Sequence, residues 1–320
     1  MKSVLDQEQG KDWAAYNSDC VEFSKTLPDN SIDFMVYSPP FSSLYVYSES
    51  AADMGNVDSD EEFIQQYKYL IKEHMRTLKP GRCIAIHVKD LVYYQGSSAT
   101  GTSGIRPFSD MCTQAFIDEG FDFQCRITIF RDPVLERSKT NAHGLLWKTF
   151  KSDATFCRVG MPEYLMVYRK WAKTDEEKEM VVPVTHPPAS VPLKAWQDLA
   201  SPVWNCYGSI QSGGGDMDLP ATDVLNVKQA KDDKAEKHLC PMPMNITKRA
   251  IEMYSNKGEV VYSPFMGIGS EGVSSLAMGR KFIGTELNPT YYAQAVKYLK
   301  NQSDSGVQTE LFEILEHSLE

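Results

Sequence analysis

The stretch Ser263-Pro264-Phe265-Met266-Gly267-Ile268-Gly269, here called the glycine loop, follows a short apolar run from Val260 to Tyr262. An apolar run that stops at a glycine-rich turn is typical of a buried strand in an open α/β sheet. Such sheets bind their ligands at the carboxyl ends of the strands. Because glycine lets the backbone approach a ligand closely, the stretch predicts a cofactor site.

A second strand end of this kind lies more than 200 residues earlier in the chain. Ser38-Pro39-Pro40-Phe41, here called the proline turn, ends the apolar run from Ile32 to Tyr37. Its two prolines stiffen the backbone next to a polar and an aromatic side chain. Two such strand ends in one chain predict a substrate site that faces a cofactor site.

The glycine loop is ambiguous when it is taken alone. Gly267 to Gly272 reads G-x-G-x-x-G, and Glu286 lies 19 residues beyond Gly267. A carboxylate at that spacing can accept hydrogen bonds from both ribose hydroxyls of an adenosine, so a nicotinamide-dependent dehydrogenase also fits. However, only 34 residues follow Glu286, too few for the rest of a dinucleotide-binding sheet. We therefore expect the remaining strands to come from earlier in the chain.

The order of these motifs resembles that of the amino-group DNA methyltransferases, which use S-adenosylmethionine to modify cytosine N4 or adenine N6. It is similar to their permuted, beta-type class, in which the catalytic half precedes the cofactor half, and looks closest to bacteriophage-encoded members. The resemblance implies an α/β, Rossmann-like methyltransferase fold with a mostly parallel, wound sheet in circularly permuted order. Further segments that carry it are Asn17 to Cys20, Leu27 to Asp33, Leu78 to Arg82, Pro162 to Tyr168 and Glu236 to Pro243.

The resemblance also implies roles for individual residues. In the proline turn, the Ser38 hydroxyl and the Pro39 carbonyl would accept hydrogen bonds from the target amino group. Pro40 would stiffen the turn, and Phe41 would stack on a base flipped out of the duplex. Glu286 would hold the cofactor ribose. The full set of expected cofactor-binding residues is Asp19, Cys20, His238, Pro241, Phe265, Met266, Gly267, Gly269, Ser270 and Glu286.

Two serines depart from the family's commonest pattern. Ser263 stands where an Asp often helps to hold the methionine amino group of the cofactor. Ser38 stands where many adenine-modifying relatives carry Asp or Asn, and Ser-Pro-Pro-Phe is commoner in relatives that act on cytosine N4. We therefore expect a site-specific cytosine-N4 methyltransferase, with an adenine-N6 enzyme as the first alternative. A methyltransferase fold that only binds nucleic acid is the second, and an oxidoreductase is the third.

The charge distribution bears on the partner. A net charge of -10 argues against non-specific nucleic-acid binding, because contacts with phosphate groups need Lys and Arg side chains. However, residues 124–170 carry nine Lys and Arg against four acids, interleaved with aromatic side chains. On charge alone, a solvated basic loop and a DNA-binding surface fit this segment equally well. The resemblance of the catalytic motif favours DNA, and we therefore expect double-stranded DNA as the partner. The expected DNA-binding residues are Arg131, Arg137, Lys139, Lys148, Lys151 and Arg158.

The domain layout follows the motif order. We expect residues 1–171 to form the catalytic half, 172–235 a target-recognition insert and 236–320 the cofactor half of one domain. The chain has neither a membrane-spanning apolar run nor the apolar core of a signal peptide, so we expect a cytoplasmic protein of a bacterial host cell. Seven cysteines without a C-x-x-C pair and six histidines without ligand spacing predict neither a metal site nor a disulfide framework. The resemblance also suggests a homodimer.

Several helix boundaries can be predicted from capping residues. Ser59 and Glu62 form a capping box that opens a helix expected to end at Pro80-Gly81. Ser109 and Asn245 are expected to cap two later helices. Asn288-Pro289 is expected to begin the last helix, with proline at its favoured first position.

Overall fold

The computed structural model describes residues 4–41, 54–57, 59–96, 101–131, 147–156, 160–187, 189–205, 224–226 and 241–317. Its strands are β1 (Val4–Gln9), β2 (Trp13–Ser18), β3 (Ile32–Tyr37), β4 (Leu78–Val88), β5 (Leu91–Tyr93), β6 (Gly104–Arg106), β7 (Asp122–Phe130), β8 (Glu163–Arg169), β9 (Val203–Asn205), β10 (Val260–Ser263) and β11 (Lys281–Glu286). Its α-helices are α1 (Cys20–Ser24), α2 (Asp60–Thr77), α3 (Phe108–Asp118), α4 (Trp147–Ser152), α5 (Asp175–Glu179), α6 (Leu193–Leu199), α7 (Met244–Tyr254), α8 (Ser270–Ala277) and α9 (Pro289–His317).

Within those residues, nine strands form one sheet in the order β1-β2-β11-β10-β3-β4-β8-β7-β9. The run from β2 to β4 is parallel throughout, and β9 is parallel to β7. The antiparallel pairings are those of β1 with β2 and of β8 with β4 and β7. The sheet is therefore mostly parallel, as predicted.

β3 shows why the sheet is covered on both faces. All six of its residues, Ile32–Tyr37, are buried, which is typical of a parallel strand with helices on either side. Alternate side chains enter two separate cores. Met35 and Tyr37 pack into one core with residues of α2 and α3, whereas Phe34 and Val36 pack into the other with residues of α7, α8 and α9.

α2 begins as predicted and ends earlier than predicted. The Ser59 hydroxyl accepts a hydrogen bond from the Glu62 N–H, and the helix buries one apolar face that includes Phe63, Tyr67 and Leu70. The helix ends at Thr77 rather than at Pro80-Gly81. A proline disfavours helical backbone at the residue before it, so the chain is already extended when it reaches Pro80.

The predicted caps at Ser109 and Asn245 are wrong. α3 begins at Phe108, and the Ser109 N–H and hydroxyl both donate to the Asp90 carboxylate, at 3.0 and 2.7 Å. α7 begins at Met244, one residue before Asn245. Each of these two helices starts directly after a proline, whose fixed φ suits the residue next to a first helical turn. The last helix begins at Pro289, as predicted.

The segment predicted as a target-recognition insert contributes to the main sheet. β9 pairs with β7 at the sheet's end, and the Trp204 side chain is fully buried. At least this part of residues 172–235 therefore packs against the core. In the described part of the chain, no helix has the length and apolar character that a membrane crossing requires.

Asp33 ties β3 to both neighbouring strands. This residue is 5% exposed. Its Oδ1 accepts a hydrogen bond from Lys79 Nζ at 2.6 Å, and its Oδ2 accepts one from the Val260 N–H at 2.9 Å. The carboxylate therefore joins the start of β10 and the start of β4 to the start of β3.

Asp33→Asn should lower the free energy of unfolding by about 2–3 kcal/mol. The neutral amide removes the ion pair with Lys79, and a hydrogen bond to a charged group contributes about 1.5–3 kcal/mol. Urea unfolding of the purified variant would measure the loss. The matched control is Asp29→Asn, because Asp29 is 72% exposed in its ion pair with Arg76 and such pairs contribute at most about 1 kcal/mol. Equal losses in the two variants would contradict the tie.

Candidate active site

Five parallel strands end along one side of the sheet, here called the carboxyl edge. β10 pairs with β3 in parallel, with Val261 beside Phe34, so the glycine loop and the proline turn lie next to each other. The Phe265 and Tyr37 rings are in contact, with centroids 5.7 Å apart. In sheet order, the predicted site residues on this edge are Asp19 and Cys20 after β2, Glu286 on β11, Phe265 to Ser270 after β10, and Ser38 to Phe41 after β3.

The glycine loop has a backbone that only glycine adopts readily. Gly267 and Gly269 have φ of 52° and 95°, in the left-handed region. A Cβ added at Gly267 would meet no atom of the described residues within 4 Å, so none of them fills the space in front of Gly267. The Gly267 N–H donates to Glu286 Oε2 at 2.9 Å. The loop and the predicted ribose-binding acid therefore contact each other directly.

Glu286 is held in position from two sides. Its Oε1 accepts a hydrogen bond from the Asn288 N–H at 2.8 Å, in addition to the bond from Gly267 to Oε2. The Asn17 side-chain amide donates to the Glu286 and Leu287 carbonyls, at 2.8 and 2.9 Å, and so joins the end of β2 to the end of β11. The carboxylate is thereby oriented along the carboxyl edge.

Two serine hydroxyls beside the loop fit a polar ligand. Ser263 and Ser270 are both buried, and in the described part of the chain neither hydroxyl has a hydrogen-bond partner. A buried polar group without a partner costs about 1–3 kcal/mol. A ligand with polar atoms at the loop would remove that cost. The arrangement therefore fits the polar cofactor that the sequence resemblance implies.

Glu271 was not identified from the sequence as a titrating group. It lies in the first turn of α8 and is 3% exposed. Burial raises the pKa of its carboxyl to about 8, and the charge of Glu286 adds to the shift. Glu271 is therefore mainly protonated at neutral pH and leaves Glu286 as the negative charge beside the loop.

The two predicted cofactor residues after β2 have structural roles of their own. Asp19 caps α1, since its Oδ1 accepts a hydrogen bond from the Glu22 N–H at 2.8 Å. Burial raises the pKa of Asp19 and raises the pKa of the Cys20 thiol well above its usual range. Cys20 is therefore an uncharged thiol that packs in the core. Neither arrangement prevents a cofactor contact, which stays a prediction.

In the proline turn, Pro39 and Pro40 are buried and Ser38 is half-buried. The Phe41 ring lies against Phe108, with ring centroids 6.1 Å apart. The Ser38 Oγ lies 3.1 Å from Nδ1 of His87, near the end of β4. The serine hydroxyl is therefore part of a hydrogen-bond network with the neighbouring strand.

That network continues across two further strands. His87 Nε2 lies 2.9 Å from Oε2 of Glu163, and the Arg131 guanidinium donates to the same carboxylate oxygen. We call Ser38, His87, Glu163 and Arg131 the Ser–His–Glu–Arg chain. The sequence prediction missed His87 and Glu163. They come together only through the antiparallel pairing of β4, β8 and β7, which has no local sequence pattern.

The charge of Glu163 determines the hydrogen-bond directions. Burial alone would raise the pKa of its carboxyl, but the hydrogen bond from His87 and the charge and hydrogen bond of Arg131 lower it. A carboxylate can only accept, so the proton between the two groups lies on His87 Nε2. In neutral His87, the unprotonated Nδ1 therefore faces Ser38.

The predicted DNA-binding residues lie in different surroundings. The Arg131 side chain is 10% exposed and paired with Glu163, so it is not a freely exposed cation, and its contact with DNA stays a prediction. Lys151 is exposed on α4, near the contacting and exposed rings of Trp147 and Phe150. Lys148 also lies on α4, whereas Arg137, Lys139 and Arg158 lie outside the described residues.

Two predicted cofactor-binding residues remain. Pro241 lies shortly before the start of α7, and His238 lies outside the described residues.

Comparison with known proteins identifies relatives of the chain. The N6/N4 methyltransferase family, a family of DNA methylases, matches residues 32–297. The type II methyltransferase M.BamHI of Bacillus amyloliquefaciens is 23% identical over 277 residues, which are 85% of this chain and 54% of that protein. The chain thus spans about half the length of this relative.

Two solved structures have a similar fold. TTHA0409 of Thermus thermophilus, a candidate DNA modification methylase determined in complex with S-adenosyl-L-methionine, has a TM-score of 0.59 and 19% identity, over 89% of this chain and 93% of that one. The cytosine-N4-specific PvuII DNA methyltransferase has a TM-score of 0.58 and 18% identity, over 92% of each chain. These similarities bear on the fold, which is the predicted α/β, Rossmann-like methyltransferase fold. Because the family match extends over most of its length, this chain belongs to the N6/N4 DNA methylase family.

Proposed function

We propose that this protein methylates the exocyclic amino nitrogen of a base in double-stranded DNA, with cytosine N4 as the target. The observation that carries the proposal is the parallel pairing of β10 with β3, which sets the glycine loop beside the proline turn. A cofactor held at the loop and a base held at the turn would then share one site. Residues 172–235, which lie between the catalytic half and the cofactor half of the chain, would recognise the target DNA sequence.

The chemistry requires an activated amino group. The nitrogen lone pair is delocalised into the base, so the site must accept both N–H groups and favour a pyramidal nitrogen. The Ser38 hydroxyl and the Pro39 carbonyl would be the two acceptors. Because Pro39 and Pro40 are buried and have fixed φ, the turn cannot easily reorient the carbonyl. Phe41 would stack on a base that has left the duplex.

The cofactor, when bound, supplies an electrophilic methyl group on its sulfonium. Gly267 and Gly269 would let the backbone approach it, and the buried hydroxyls of Ser263 and Ser270 would meet its polar atoms. Glu286, already oriented by two backbone N–H groups, would accept hydrogen bonds from the ribose. No covalent intermediate with the protein is required.

The choice of cytosine N4 rests on the proline turn. A serine hydroxyl opens the motif instead of the carboxylate that many adenine-modifying relatives use. Incubation with S-adenosylmethionine and unmodified bacterial or phage DNA, followed by nucleoside mass spectrometry, should yield N4-methylcytosine. N6-methyladenine would keep the mechanism and reverse the base. No modified nucleoside from folded protein across diverse DNA would favour the alternative of a protein that only binds nucleic acid.

Ser38→Ala should retain cofactor binding and lose at least about 100-fold in the rate of methyl transfer, since one acceptor for the amino group is removed. Single-turnover methylation would measure the rate, and calorimetry the cofactor affinity. Ser31→Ala is the matched control, because Ser31 precedes the opposite end of β3 and its hydroxyl donates to the Pro28 carbonyl. An unchanged rate in Ser38→Ala would remove the hydroxyl from the mechanism.

Gly267→Val should reduce the affinity for S-adenosylmethionine at least about 100-fold. The new side chain would occupy the open space in front of the loop, and a β-branched residue does not suit a positive φ. Gly258→Val controls for the backbone, because Gly258 has a φ of 81° and equally open space, in the turn before β10. Titration calorimetry of both variants compares the effects. Full affinity in Gly267→Val would mean that the loop is not the cofactor site.

Lys151→Glu should weaken DNA binding. It should also reduce the slope of the logarithm of the association constant against the logarithm of the salt concentration by about the amount that one phosphate contact contributes. Fluorescence anisotropy with a labelled duplex at several salt concentrations gives both quantities. Lys300→Glu, a similar change at a half-exposed lysine of α9, should leave the slope unaltered. If the two variants behave alike, α4 is only a solvated surface.

A further inference from the structure

We propose that His87 accepts, through the Ser38 hydroxyl, the proton that the target amino group releases on methylation, and that Glu163 and Arg131 position His87 for this step. The inference rests on the proposed function and adds a proton pathway to it. The contacts that carry it are Ser38 Oγ to His87 Nδ1 at 3.1 Å and His87 Nε2 to Glu163 Oε2 at 2.9 Å.

In the Ser–His–Glu–Arg chain, the hydrogen bonds from Ser38 to His87 and from His87 to Glu163 run toward the carboxylate, and Arg131 donates to the same carboxylate from the other side. Glu163 and the His87 Nε2–H fix the imidazole tautomer in which Nδ1 is an acceptor. The Ser38 hydroxyl can then donate its single proton to Nδ1. Both lone pairs of Ser38 Oγ are thereby left for the amino group of the base. Because hydrogen bonds in a chain polarise one another, this oxygen becomes a stronger acceptor than an isolated hydroxyl.

The proton transfer is balanced without a further reactant. Transfer of the methyl group leaves the amino nitrogen with a positive charge and both of its hydrogens. One N–H bond then breaks, and its electron pair stays on nitrogen as the neutral methylamino group. That proton passes to Ser38 Oγ while the Ser38 proton passes to His87 Nδ1. The imidazolium that forms keeps its Nε2–H on Glu163 and later releases one proton to water.

Arg131 completes the arrangement. A buried carboxylate is costly without a partner, and Arg131 supplies one while His87 is neutral. In the part of the chain that the structure describes, the charged groups bonded to His87 directly or through one neighbour are Glu163 at the start of β8 and Arg131 directly after β7. Asp90, three residues after His87, accepts a hydrogen bond from the Ser109 hydroxyl.

A purely structural role would have a different signature. A buried ion-pair cluster that only joined β4, β8 and β7 would affect stability and not the rate of the chemical step. Glu259 provides the comparison, because its carboxylate also pairs with a buried arginine, Arg82, on β4. Glu259→Gln should reduce stability and leave the single-turnover rate near that of the wild type.

The test is single-turnover methylation by His87→Asn with saturating cofactor and DNA. The Asn side-chain oxygen can accept the Ser38 hydrogen bond, but the amide cannot take up a proton. We expect a loss of about 100-fold in rate with unchanged affinity for S-adenosylmethionine. Imidazole in the buffer should partly restore His87→Gly.

A double-mutant cycle links the two residues. If His87 acts through Ser38, then His87→Asn should cause no further loss in the Ser38→Ala background. A wild-type rate in His87→Asn, or losses that add in the double variant, would overturn the proton pathway and leave the proposed function intact. Failure of the wild-type chain to methylate any DNA would instead overturn the proposed function, and this is seen before any variant is compared.

Discussion

The parallel pairing of β3 with β10 is the constraint on which the site depends. The two strands are more than 200 residues apart in the chain, yet Val261 lies beside Phe34 and Tyr262 beside Met35. Asp33 holds this register at the amino ends of the strands through the Val260 N–H. The relative position of the glycine loop and the proline turn at the other ends follows from it. Such a long-range pairing forms slowly, so completion of the site is expected late in folding.

In the proposed catalytic centre, the negative charge of Glu163 is separated from the proposed amino-group acceptor, Ser38, by His87. A carboxylate at the first position of the turn would contact the amino group directly, whereas here a neutral hydroxyl stands there and Glu163 acts behind His87. The carboxylate is neutralised by Arg131 in the protein interior. The atoms proposed to face the substrate are therefore uncharged, and the proposed route for the proton leads away from them through His87. Burial also acts beside the glycine loop, where it raises the pKa of Glu271, and the charge of Glu286 adds to that shift.

Local patterns predicted the parts of the fold that depend on local interactions. The start of α2 at Ser59 and the two strand ends follow from neighbouring residues, and the structure places them as expected. The cap at Ser109 failed because a distant acceptor, Asp90, takes its hydroxyl. The grouping of His87 with Glu163 could not be predicted, since the two residues are 76 positions apart and meet through strand register. Glu163 lies in a segment that carried the family resemblance, but only as the start of a strand.

Glu271 also sets a proton stoichiometry for folding. Its carboxyl has an ordinary pKa of 4.5 and a pKa of about 8 in the folded chain. Between these values the unfolded chain is ionised at this residue and the folded chain is protonated, so folding takes up a proton. The contribution to stability is then complete below pH 4.5 and is lost by about 1.4 kcal/mol per pH unit as the pH rises toward 8. A rise in pH from mildly acidic to neutral values therefore works against the burial of this carboxyl in the helix turn beside the glycine loop.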